Sequence, residues 1–140
     1  MSRQPYIQDV EPGLELTPLV KQPTTRQLVM YAGASGDFYE IHYDRDFALA
    51  QGLPGVILQG ALKSAFLGQL VTDWMGPEGS LRELSVRYRE MDVPGDTLTC
   101  KGTVAGVDVA AGTVSCTIWI ENGAGTKTTT GRAVVALPSR

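Results

Sequence analysis

Histidine is almost absent from this chain: one imidazole, at position 42, serves 140 residues. It is the side chain whose ordinary pKa lies closest to neutrality, so any histidine chemistry runs through His42. Cysteine is nearly as scarce. Cys100 and Cys116, with a single histidine, are too few for the usual zinc ligand sets, so no metal site is expected. Neither has a histidine nearby in sequence to activate it, and nothing marks a nucleophile elbow. No apolar run approaches the ~20 residues that a membrane helix needs. The first 19 residues also lack the apolar block of a secretory leader. No membrane association and a cytoplasmic location are the resulting expectations. Charged residues make up only 19%, the formal net charge is -3, and no Lys/Arg run offers a face to phosphates, so no nucleic-acid partner is expected. No repeat, low-complexity tract or linker divides the chain. What remains is 43% hydrophobic content, enough for one domain over residues 1–140 with a real core.

The first half reads as helical. Residues 14–20 suit a short strand. Thr24-Thr25-Arg26-Gln27 then has the Thr-x-x-Gln form of a capping box, opening a helix that the Gly33–Gly36 stretch ends. Asp44 is placed to cap a brief helix around Phe47, Ala48 and Leu49, which Gly52 stops. The main helix spans residues 60–75. Leu62, Phe66, Leu70 and Trp74 recur every four residues, Ala61, Ala65 and Val71 widen that stripe, and Lys63 and Asp73 are the charged exceptions. The second half alternates with period two through 84–89, 97–104, 114–120 and 127–137, the signature of half-buried antiparallel strands. Turn residues separate these runs at 93–96, 110–112 and 122–125. Both cysteines fall on apolar faces, as buried thiols. The whole is α+β: an antiparallel sheet wrapped around one long apolar helix, the hotdog arrangement.

The segment Ala34-Ser35-Gly36-Asp37-Phe38-Tyr39-Glu40-Ile41-His42 sets a carboxylate and the only imidazole on one short loop, an acid/base pair by residue type. From Tyr31 to His42 it resembles the signature of MaoC-like (R)-specific enoyl-thioester hydratases and dehydratases, with Gly36, Asp37 and His42 in place and spacing. Gly52-Leu53-Pro54-Gly55-Val56-Ile57-Leu58-Gln59-Gly60-Ala61-Leu62 resembles that family's loop into its central helix, and Val93-Pro94-Gly95-Asp96-Thr97-Leu98 the turn that opens its next strand. The resemblance implies a single hotdog domain that hydrates trans-2-enoyl thioesters, or runs the reverse 3-hydroxyacyl-thioester dehydration. It implies Asp37 and His42 as the catalytic pair and the Gly60 N–H as the oxyanion donor. Ser35, Tyr39 and Gln59 are the candidate substrate-binding positions. It implies no metal and no redox cofactor.

Three residues depart from the family pattern. Tyr39 stands where a short amide is usual, Glu40 where proline is usual, and Gln59 where histidine often precedes the oxyanion glycine. They bear on substrate size and loop geometry rather than on reaction type. The resemblance further implies an acyl thioester of coenzyme A or acyl carrier protein as substrate. A second hotdog subunit, identical or different, is the implied partner. Tyr31-Ala32-Gly33-Ala34-Ser35-Gly36-Asp37 is similar to long-chain 3-hydroxyacyl dehydratase subunits. His42-Tyr43-Asp44-Arg45-Asp46 and Val71-Thr72-Asp73-Trp74-Met75-Gly76-Pro77 are similar to small subunits of steroid side-chain hydratases. An anionic carrier on an acidic protein needs local positive charge, for which Lys63, Arg87, Arg89 and Arg132 are candidates. Two alternatives stay open: a hotdog thioesterase, for which Asp73 is the only acid on the main helix, and a structural subunit without catalysis.

Overall fold

Caps and breakers fix the element boundaries in this computed structural model, which describes residues 3–140. Thr24 Oγ1 accepts the Gln27 N–H at 3.2 Å and opens α1, Thr25–Ser35. Gly36, at φ +76°, closes it by donating its N–H to Ala32 O, a left-handed conformation that glycine adopts without steric cost. The chain thereby leaves the helix axis and delivers Asp37 to a loop. A single 3-10 turn, Glu40–His42, follows. Asp44 then caps α2, Arg45–Ala50, by accepting the Phe47 N–H at 3.1 Å. The central helix α3 runs over Gly60–Met75.

The sheet is antiparallel throughout. After β1 (Leu19–Lys21) come β2 (Ser80–Tyr88), β3 (Leu98–Asp108), β4 (Thr113–Glu121) and β5 (Lys127–Ala136), in the spatial order β1-β3-β4-β5-β2. β1 is shorter than the 14–20 expectation and begins later. Pro18 has no N–H to give, so pairing breaks there. Upstream of it, residues 13–16 still bond to β3 through Leu16 N–H to Gly102 O and Val104 N–H to Leu14 O.

The core lies between the inner sheet face and one side of α3. Leu62, Phe66, Leu67, Leu70 and Val71 meet Leu98, Cys100, Val114, Cys116, Ile118, Ile120, Ala133 and Val135, which are the inward members of the alternating strands. Both cysteines are free thiols in this core, and burial pushes them up to about 12 for Cys100 and about 11 for Cys116. The helix is not enclosed all round. Ala61 and Ala65, expected in the buried stripe, are exposed with Gln69 and Thr72, and Trp74 is half-buried. Lys63, expected as a charged exception, is buried instead. Small residues satisfy an apolar periodicity without requiring burial, whereas a lysine can be buried if its charge is paired.

Candidate active site

Three short segments converge at the N-terminal end of α3. The first is the loop after α1. Ser35 Oγ donates to Tyr31 O at 2.7 Å and accepts the Asp37 N–H at 3.2 Å, so this hydroxyl is spent on shaping the turn. Asp37 Oδ1 accepts the Tyr39 N–H at 3.4 Å, leaving Oδ2 directed at His42. The second segment is the 3-10 turn carrying His42, which is 7% exposed. Its Nδ1 lies 2.8 Å from Ile57 O. A carbonyl only accepts, so Nδ1 carries a proton, and in the neutral ring Nε2 presents its lone pair. That Nε2 lies 3.6 Å from Asp37 Oδ2, too long for a direct hydrogen bond. Two acceptor atoms facing one another at this separation can share one water molecule. The Asp37 side chain is 44% exposed, so the pair is open to solvent on the carboxylate side.

The third segment is the run 57–60 into α3. The first N–H groups of any helix lack intrahelical acceptors, and here Gln59 at the N-cap makes no side-chain cap. Gly60 leads the helix with such a donor, where the positive end of the dipole also favours negative charge. A Cβ at Gly60 would meet the Tyr88 ring at 2.8 Å, so only glycine leaves the backbone this close to the tyrosine. A cavity of about 700 Å³ lies against these groups, lined by His42, Gly60, Lys63 and Tyr88 and walled by Ile57 and Leu58. Pro54, Met91 and Val93 make the rest of its wall largely apolar, and Arg89 and Glu90 also reach it.

The six sequence-derived site residues thus divide. Asp37 and His42 are brought together, and His42 and Gly60 face the same cavity. Tyr39 lies edge-on to the His42 ring, with centroids 6.2 Å apart, and edge-on to Phe47 at 6.0 Å. Ser35 serves its own turn. Gln59 is fully buried and donates to Leu28 O at 2.8 Å, so it ties the start of α3 to α1 and does not line the cavity. Of the four cations considered for a carrier, Lys63 is excluded: it is 3% exposed and bonded to Asp92 at 3.0 Å. Arg132 faces Glu83 at 3.6 Å, both exposed. Arg87 is exposed, and Arg89 alone of the exposed three lines the cavity. Asp73 is exposed at the other end of α3, beside a second cavity of about 690 Å³ with Leu70 and Trp74. It does not share a cavity with His42.

Sequence reading missed one cluster altogether. Lys63 Nζ, Asp92 Oδ2 and Thr128 Oγ1 form a buried network, with Thr128 donating to the carboxylate at 2.6 Å and Lys63 also donating to Glu90 O at 2.9 Å. No local pattern announces contacts between residues 29 and 36 positions apart.

Comparisons with known proteins bear on the family and the fold. Residues 8–123 match the family model described as MaoC like domain. The chain is 32% identical over 81 residues to the 3-oxo-4,17-pregnadiene-20-carboxyl-CoA hydratase beta subunit of Mycobacterium tuberculosis. That alignment covers 58% of this chain and 63% of the relative, so the chain spans less than two thirds of that protein's length. Among solved structures, an (R)-hydratase from A. caviae involved in PHA biosynthesis superposes with a TM-score of 0.85 at 27% identity, covering 94% of this chain and 99% of that one. A chain of the ChsH1-ChsH2 complex from Mycobacterium tuberculosis superposes with a TM-score of 0.83 at 26% identity, covering 91% and 98% respectively.

Proposed function

We propose, from the premise that this chain belongs to the MaoC-like domain family, that it is a hydro-lyase that adds water to trans-2-enoyl thioesters with (R) specificity, or runs the reverse dehydration. One observation carries the reading: His42 Nε2 and Asp37 Oδ2 face each other at 3.6 Å beside a cavity that also receives the N-terminus of α3. A water held between the two acceptors loses a proton to one of them as its oxygen bonds to C3. The group that took the proton then gives it to C2, so the sum is one water added across the double bond. Negative charge develops meanwhile on the thioester oxygen, and the Gly60 N–H is the donor for it. Only protons and one water move, and positioned acid/base groups supply about 10²–10⁴-fold.

The substrate is an acyl thioester of coenzyme A or of acyl carrier protein, its acyl part in the apolar cavity and its anionic carrier near Arg89. Residues 1–140 act as one hotdog unit. A second hotdog subunit, identical or different, is the partner. β2 is an edge strand with Leu84 37% and Tyr88 53% exposed, a surface suited to extending the sheet into a neighbour. A second reading makes the chain one subunit of a heteromeric hydratase for a steroid side-chain thioester. It rests on the identity to the mycobacterial beta subunit. The test is hydration of crotonyl-CoA, a long-chain enoyl-CoA and a steroid enoyl-CoA by the purified chain, with its mass in solution measured by light scattering. Turnover of any of the three supports the hydro-lyase reading, and the preferred one names the acyl class. Inactivity on all three by a folded dimer would overturn the self-sufficient enzyme.

A further inference from the structure

The buried Lys63–Asp92–Thr128 network lies behind the candidate pair, and one peptide group joins them. The C=O of Ile57 accepts from His42 Nδ1 at 2.8 Å. The N–H of Leu58, the other half of that same planar unit, donates to Asp92 O at 3.0 Å. Because the unit is planar, the direction of its N–H fixes the direction of its C=O. The position of Asp92 therefore sets where the imidazole proton must point. Asp92 is held in turn through one carboxylate oxygen, Oδ2, by Lys63 Nζ at 3.0 Å and Thr128 Oγ1 at 2.6 Å. Its Oδ1 is buried with no partner among the described residues, so nothing else compensates the charge. Thr128 O also accepts the Arg89 and Glu90 N–H groups at 2.8 and 3.0 Å, which anchors the segment leading to Asp92.

We infer that Asp92, with Lys63 and Thr128, positions His42: the buried network orients the 57–58 peptide, and that peptide holds the imidazole as the Nδ1–H tautomer with Nε2 toward Asp37. These are positioning residues, since none touches the imidazole itself. The same helix turn places Lys63 three residues after Gly60, so the network also ties down the start of α3. The consequence for turnover rests on the hydratase reading. The consequence for the imidazole does not.

His42 is the only histidine, so its ring resonances in ¹⁵N-labelled protein are unambiguous. The wild-type chain is expected to give Nδ1–H tautomer shifts and a slowly exchanging ring proton. Thr128→Val, which removes one hydroxyl at nearly constant shape, and Lys63→Met are expected to speed that exchange by about tenfold or more and to mix the tautomers. Thr128→Ser, which keeps the hydroxyl, is expected to restore the wild-type signal. In hydration assays Thr128→Val is expected to lower kcat about tenfold with KM within about threefold, because misaiming an acid/base group costs turnover more than binding. Lys101→Met, which breaks the partly exposed Lys101–Glu121 pair on the outer sheet face, is the control and leaves the imidazole signal unchanged. Thr128→Val is the deciding variant if Lys63→Met does not fold. An unaltered ring proton in folded Thr128→Val, whatever its stability, would overturn the inference. A wild type that hydrates no thioester but shows the predicted ring signals and their loss would overturn the function and leave this inference standing.

Discussion

Two acid–base pairs lie on opposite sides of the 57–58 peptide, and they are built oppositely. Lys63 and Asp92 are 3% and 1% exposed in their side chains and touch at 3.0 Å. His42 and Asp37 are 8% and 44% exposed and stand apart at 3.6 Å. The first pair is closed, with both charges removed from water and held by further hydrogen bonds. The second is unfinished, with a ring nitrogen and a carboxylate oxygen too far apart to bond each other and open to solvent on the carboxylate side. A closed pair has its charges satisfied by each other, so its main effect is to hold geometry. An open pair contributes little to stability and keeps its valences for a reactant. The contrast explains why the exposed acid, not the buried one, is read as chemical.

The sharpest way to break this contrast is to remove one member of each pair. Asp92→Ala leaves the Lys63 ammonium buried without its carboxylate and is expected to cost roughly 3–5 kcal/mol of stability, measured by urea unfolding. Asp37→Asn is expected to change stability by under about 0.5 kcal/mol. Equal losses would erase the distinction. In activity the ranking turns around. Asp37→Asn and His42→Ala are each expected to lower kcat/KM for enoyl-thioester hydration by about 10²-fold or more with the fold retained. Near wild-type turnover in either variant would move the chemistry elsewhere. Gly60→Ala tests the third component. The added methyl meets the outer end of the exposed Tyr88 ring, which yields only by giving up its 2.6 Å hydrogen bond with Ser64 Oγ, so stability should fall by about 1 kcal/mol. The methyl also intrudes where the thioester oxygen must approach, so kcat/KM should fall about tenfold. An unchanged kcat/KM would remove Gly60 from the oxyanion role.

How much of this was legible in the sequence follows from the range of the interactions. The Thr24 and Asp44 caps lie within three residues of the N–H groups they accept from, and the structure forms both. α3 is bounded where its apolar period begins and ends, at Gly60 and Met75. The Asp37/His42 encounter spans five residues just after the Gly36 helix stop, so spacing alone makes it plausible. The closed pair lies beyond that range. Lys63 on a helix reads as a solvated charge until Asp92 and Thr128 arrive from other elements. Gln59 meets the same limit. Its position beside Gly60 suggests a role facing substrate, yet its amide turns back to Leu28 O. Sequence neighbours of a site residue can point to opposite sides of the chain, and only the fold decides which.

Tyr39 offers the smallest expected effect and the finest test of the open pair. It replaces the short amide of the family pattern and lies edge-on to His42 with centroids 6.2 Å apart, half-exposed. Its backbone N–H, not its phenol, is what contacts Asp37. Asparagine at this position keeps that N–H and removes the ring. Edge-on aromatic contacts of this kind are worth about 0.5–1.5 kcal/mol, so Tyr39→Asn should weaken the packing around His42 and Phe47 without abolishing it. The phenol makes no hydrogen bond to either member of the pair, so no proton path is lost. If the ring only narrows the approach to His42, Tyr39→Asn should raise activity on bulky enoyl thioesters relative to crotonyl-CoA, by about two- to tenfold in the kcat/KM ratio. The measurement is kcat and KM for short, long-chain and ring-bearing substrates with both proteins. A uniform fall in kcat across all three, with their ranking unchanged, would instead make Tyr39 part of the proton-handling pair and close the gap on which its reading as open depends.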